Sequence, residues 1–90
     1  MKKTIIATSR YNRDIKRLKK QNKDFKPFRN VIRKLESGIH IPTKYKPHRL
    51  KGKWSGYLEC HVKPDWLLIW KETKTIIYLA RTGSHSDLFE

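Results

Sequence analysis

The spacing of hydrophobic positions along this chain switches twice. A short run, Lys3 to Thr8, holds the β-branched Thr4, Ile5 and Ile6 and reads as a strand. From Ser9, placed to cap a helix, the spacing becomes helical. Tyr11, Ile15 and Leu18 share one side, and Arg10, Arg13, Lys16, Arg17, Lys19 and Lys20 fill the rest. So narrow an apolar stripe on a basic cylinder packs by one edge. Gln21 to Lys23 is a turn. A second helix follows with Phe25, Phe28, Val31, Ile32 and Leu35 on one face. With Asp24 as cap, Pro27 falls among the first-turn positions whose N–H has no helical partner, and Ser37-Gly38 ends the helix. The two helices are expected to form an antiparallel pair.

Gly38 to Lys53 is a basic loop, long for so short a chain, and loops of that length tend to be functional. The period then becomes that of strands: Trp54 to Val62 alternates, Trp66 to Lys71 is apolar, and Thr75 to Arg81 is β-branched. Lys63-Pro64 and Glu72-Thr73-Lys74 make the intervening turns, and Ser84 to Phe89 is a short helical turn or tail. The predicted fold is α+β, with a strand, two helices and a three-stranded antiparallel meander. The helices cover one face of the sheet and the active site lies on the other. By alternation Leu58, Cys60 and Val62 face the helices, while Tyr57, Glu59 and His61 face away. In the last strand Ile77, Leu79 and Arg81 are assigned to the open face and Tyr78 and Ala80 to the core, because arginine is a poor core residue.

Composition narrows the partner. Ninety residues make one domain, 1–90, with one thin core. Lys and Arg number 22 against 8 Asp and Glu, a formal net charge of +14, which calls for a polyanionic partner. The apolar runs WLLIW and TIIYLA are strand-length, so no membrane partner is expected. The single cysteine, Cys60, excludes an internal disulfide framework, and the N-terminal apolar run is too short for a signal peptide. A cytoplasmic location is expected.

The chemistry gathers between Lys46 and Trp66. His48 and His61 lie there with Asp65, Trp54, Trp66 and several cations, among them Lys51 and Lys53. Groups that titrate near neutrality stand beside cations for phosphate and rings for bases, the mixture that RNA cleavage without a metal requires. His85 and Arg81 lie close in sequence, and the topology permits both to join His48, His61 and Asp65 at one end of the sheet. His40 is read as an ordinary surface histidine. No paired Cys/His spacing suggests zinc, and Cys60 and His61 point to opposite faces of one strand.

Three segments carry a resemblance: H-x-L-x-G-x-W-x-G-Y from His48 to Tyr57, H-V-x-P-D-W from His61 to Trp66, and R-T-G-x-H-x-x-L-F from Arg81 to Phe89. Together they resemble the YafQ branch of the RelE/ParE superfamily of bacterial toxins from toxin–antitoxin modules. The N-terminal part matches by pattern only. The resemblance implies a RelE-like α+β fold, cleavage of mRNA on the translating ribosome, and an antitoxin that wraps the toxin. It carries catalytic roles to His48, His61, Asp65 and His85, and a role to the aromatic Phe89, with Arg81 and Trp66 nearby.

On that basis His48 and His85 are expected to be the acid–base pair, in either order, and His61 and Arg81 to stabilise the phosphate. Asp65 orients a histidine. Trp66 and Phe89 stack on bases, with Lys51 and Lys53 as further substrate contacts. No cofactor and no metal are expected; the partners are an acidic antitoxin, mRNA and the ribosome. The alternatives are a gyrase-poisoning ParE-like toxin and a non-catalytic RNA-binding module. Neither needs three converging histidines.

Overall fold

The chain runs through β1 (Thr4–Ala7), α1 (Ser9–Lys20), α2 (Lys26–Glu36), β2 (His48–Arg49), β3 (Leu58–Lys63), β4 (Trp66–Glu72), β5 (Ile76–Gly83) and α3 (His85–Phe89). The computed structural model describes residues 2–89. Short 3-10 turns at Thr43–Tyr45 and Gly52–Trp54 flank β2. The strands form one mixed sheet in the order β1-β5-β4-β3-β2. β1 lies parallel to β5, and the other neighbours are antiparallel. The predicted basic loop thus contains a strand, and the predicted strand from Trp54 begins only at Leu58.

The helix termini follow local chemistry. Thr8, not Ser9, caps α1: its hydroxyl accepts the Tyr11 N–H at 3.2 Å. Ahead of α2, Asp24 accepts the Lys26 N–H at 3.0 Å, and Pro27 sits in the first turn. α1 packs mainly on β5 and α2 on β3. Their apolar faces, with Tyr11, Leu18, Phe28, Val31 and Leu35, meet Cys60, Leu68, Trp70, Ile77 and Leu79 of the sheet in the main core. Burying a side chain such as Leu18 or Val31 stabilises the fold by about 1.5–3 kcal/mol. Burial pushes the Cys60 thiol up to about 12, with the Glu59 charge adding to it, which leaves it unreactive.

Residues of β4 that alternate with this set, Leu67 and Ile69, point the other way. There they form a second, smaller cluster with Leu88 of α3, flanked by Leu50, Trp54, Tyr57 and Ala80. That face is therefore partly covered.

Three assignments in β5 are corrected. Ile77 and Leu79 lie in the main core, 1% and 3% exposed, and Ala80 packs against the cluster on the opposite face. The register explains the end of the strand. Trp70 pairs with Leu79 but Ile69 pairs with Arg81, leaving Ala80 as the extra residue of a bulge. Beyond it, Arg81 meets a buried partner on α1. Its Nε donates to Asp14 Oδ2 at 2.7 Å and its Nη2 to Oδ1 at 3.1 Å. Asp14, 2% exposed, also accepts from Arg17 and from the Thr82 N–H. Burial alone would raise the Asp14 carboxyl; these hydrogen bonds outweigh it and hold the group below its ordinary value of 3.8. The network ties α1 to the end of β5.

Candidate active site

His48 is placed by backbone pairing. β2 lies antiparallel to β3 with His48 opposite Glu59. The Leu50 N–H donates to the Tyr57 carbonyl at 3.0 Å, and the chain turns back through Gly52 and Gly56, whose φ angles of +67° and +92° favour glycine. His61 stands two residues beyond Glu59 on the same strand, so both side chains leave the same face. His85 opens α3 immediately beyond β5. The junction passes through Gly83, at φ +151°, where an added Cβ would come within 2.9 Å of Asp87 Oδ2.

These placements line up three imidazoles. The ring centroids of His48 and His61 are 6.2 Å apart, and those of His61 and His85 are 5.8 Å apart. Phe89, one helical turn beyond His85, continues the row at 6.4 Å and is 46% exposed.

A carboxylate serves each end of the row. Asp65 Oδ1 accepts both the His85 backbone N–H at 3.0 Å and the ring Nδ1–H at 2.9 Å. The backbone N–H first, then the ring, hold the Asp65 carboxyl below its ordinary value. With Nδ1 engaged, His85 Nε2 is the nitrogen left to meet a substrate. At the other end, Glu59 Oε1 lies 3.1 Å from His48 Nε2 and 4.0 Å from His61 Nε2. Glu59 is 4% exposed, and its Oε2 has no hydrogen-bond partner. His48 Nδ1 lies 2.8 Å from the Lys46 carbonyl and donates to it, which leaves one proton to be shared between His48 Nε2 and Glu59.

The sequence reading placed Glu59 on the right face but gave it no role. Its spacing of two from His61 within a strand was the available signal. Two assigned residues lie elsewhere. Trp66 is 3% exposed and stacks on Phe28 with centroids 5.3 Å apart, while its indole N–H donates to Thr82 at 2.9 Å. It is a core residue and cannot offer a face to a base. Arg81 is bonded to Asp14, as described, and lines a basic recess with Arg10 and Arg13. Lys51 and Lys53 are exposed cations at the turn before β3. His40 lies apart, lining a cavity with Ile39 and Glu72.

This fold has close counterparts among bacterial toxins of type II toxin–antitoxin systems. One is the mRNA interferase toxin YafQ of Escherichia coli K12, 36% identical over 90 residues, which cover 99% of this chain and 98% of the relative. The toxin in the crystal structure of the E. coli DinJ–YafQ toxin–antitoxin complex superposes with a TM-score of 0.92 at 35% identity, with 100% of both chains covered. A metal-bound toxin from Helicobacter pylori superposes with a TM-score of 0.88 at 38% identity, covering 99% of this chain and 100% of that one. The family model for the bacterial toxin of type II toxin–antitoxin system, YafQ, matches residues 3–90, and the chain belongs to that family.

Proposed function

We propose that this YafQ-family toxin is an endoribonuclease that cuts mRNA on the translating ribosome by histidine acid–base catalysis, without a metal. The observation that carries the reading is the row His48–His61–His85 with Glu59 and Asp65 at its ends. Cleavage needs a base for the 2′-hydroxyl proton, positive charge at the phosphate and an acid for the leaving oxygen. His48 and His85 are the acid–base pair. Asp65 fixes the His85 tautomer so that Nε2 faces the RNA, and Glu59 supplies or takes the proton it shares with His48. His61, between them, stabilises charge on the phosphate. Arg81 instead pins the strand end from which His85 projects. Phe89 is the stacking surface for a base.

The H. pylori relative is metal-bound. Here, among the described residues, no group of three or more His, Cys, Asp or Glu has the geometry to hold a metal ion, and no step is routed through one. The partner that restrains the toxin is an acidic antitoxin, as the +14 chain and the DinJ complex of its relative suggest. Among the described residues no helix is long and apolar enough to cross a membrane.

The test is incubation with translating ribosomes. The wild-type chain should cut mRNA. His48→Ala, His61→Ala and His85→Ala should each lower the rate by about 10²-fold or more while staying folded, with His40→Ala unchanged. A fully active His85→Ala protein would remove that residue from the mechanism. Arrest of gyrase without cut mRNA would favour a ParE-like toxin, and ribosome or RNA binding without cutting a plain binding module.

A further inference from the structure

A cavity of about 450 Å³ opens beside His61, between the start of α2, the 3-10 turn Thr43–Tyr45 and the end of β3. Its size is that of a small-molecule site. Its apolar lining is Pro27, Pro64, Tyr45 and Val62, of which Tyr45 and Val62 are buried in the main core. The rim carries Lys44, Lys46 and Lys63, and no acidic side chain lines it. Among the described residues none of these three lysines is in an ion pair; Lys44 Nζ lies over the Tyr45 ring at 5.1 Å, and Lys46 and Lys63 are left for a ligand. Apolar and cationic lining side chains together fit a nucleotide: the base meets the apolar ones and the phosphate the lysines.

The backbone of the rim is joined to the row of histidines. Lys46 adopts a left-handed conformation, φ +50°, uncommon for a residue with a Cβ. Its N–H is held by the Thr43 carbonyl at 2.9 Å, and its own carbonyl accepts from His48 Nδ1 at 2.8 Å. The same residue thus lines the cavity and, through its carbonyl, holds the ring of His48. Such backbone conformations persist where the surroundings over-determine them, commonly at functional sites.

We propose that this cavity is a nucleotide subsite, holding the RNA residue next to the cleaved bond with its base against Pro27 and Pro64 and its phosphate on Lys46 and Lys63. The proposal rests on the nuclease reading for its biological meaning but is tested apart from it. The free chain is titrated with a nucleoside 3′-monophosphate and, separately, with inorganic phosphate, and followed by NMR. The nucleotide should shift the signals of Lys46, Val62, Lys63 and the His61 ring, and bind about tenfold more tightly than phosphate because the base adds apolar contact. Lys46→Ala with Lys63→Ala should weaken nucleotide binding about tenfold, since hydrogen bonds to charged groups are lost while the Lys46 carbonyl that holds His48 is kept. Lys71→Ala with Lys74→Ala removes equal charge elsewhere and should change it by no more than about twofold. Nucleotide shifts that lie outside the cavity, equal affinity for phosphate, or equal weakening by both double variants would overturn the subsite. A wild-type chain that binds nucleotide in the cavity yet cuts no mRNA on ribosomes would overturn the nuclease reading and leave the subsite standing.

Discussion

Asp65 and Trp66 are neighbours in sequence, yet their side chains part completely. Asp65 is exposed and holds His85; Trp66 turns into the core between Phe25 and Phe28. A tryptophan next to a catalytic carboxylate reads as a base platform when only the sequence is known. The first position of β4, which faces the helices, decides otherwise. Trp66→Ala should therefore cost about 3–5 kcal/mol of stability, as truncation of a buried aromatic does. Chemical denaturation measures this, and any loss of cleavage should follow the fraction unfolded. A Trp66→Ala protein of unchanged stability but lost RNA cleavage would return the residue to the substrate. Phe89 is the opposite case: it remains exposed beside His85.

Among the elements, the joint between α1 and β5 anchors the strand end that leads into His85. Asp14 there accepts from Arg81, Arg17 and the Thr82 N–H. Replacing it with Asn leaves a guanidinium and a buried N–H poorly matched, and breaking such a buried pair costs about 3 kcal/mol or more. The sign with pH is fixed by the lowered carboxyl. Its contribution is complete above the unfolded value near 3.8 and is lost as pH falls through the lower folded value. Thermal melts should show the wild-type chain losing stability in that acid range and Asp14→Asn losing less there. Parallel acid limbs for both proteins would contradict this role.

The same joint marks where the sequence stopped being legible. The helices, β1, β4 and the inward set Leu58, Cys60 and Val62 could be read from periodicity alone, because each apolar position has one face to go to. The site histidines could be named from their chemistry and motifs. Three features could not be read. The two-residue β2 has no period of its own and exists because His48 and Arg49 pair with Glu59 and Leu58. The bulge at Ala80 breaks alternation, so the polarity of Arg81 is no guide to which way Ile77 and Leu79 face. Glu59 looks like any outward acid in a strand until β2 lies across it and buries it.

At the scale of the molecule, a formal charge of +14 is spread over a body with a radius of gyration of 12.3 Å. Such a surface attracts polyanions from a distance, and salt screens that attraction with a Debye length of about 8 Å at physiological ionic strength. Association with the acidic antitoxin should accordingly slow and weaken between low and high salt, as stopped-flow binding would show. An affinity that does not change with salt would contradict the electrostatic part of the partnership. The acids are few and scattered: Asp14 is consumed by arginines, Glu59 by histidines and Asp65 by His85. Nucleases that use two metal ions hold them about 4 Å apart between clustered carboxylates.

The proposed histidine acid–base mechanism makes the RNA's own 2′-hydroxyl the nucleophile, and the product ends record which nucleophile acted. mRNA cut by the wild-type toxin on intact translating ribosomes should carry a 2′,3′-cyclic phosphate, or the 3′-phosphate from its hydrolysis, on the upstream fragment and a 5′-hydroxyl on the downstream one. A single 2′-deoxy substitution at the cut position should block cleavage there. Fragments ending in 3′-hydroxyl and 5′-phosphate, with the 2′-deoxy message still cut, would contradict histidine acid–base catalysis and point to an activated water.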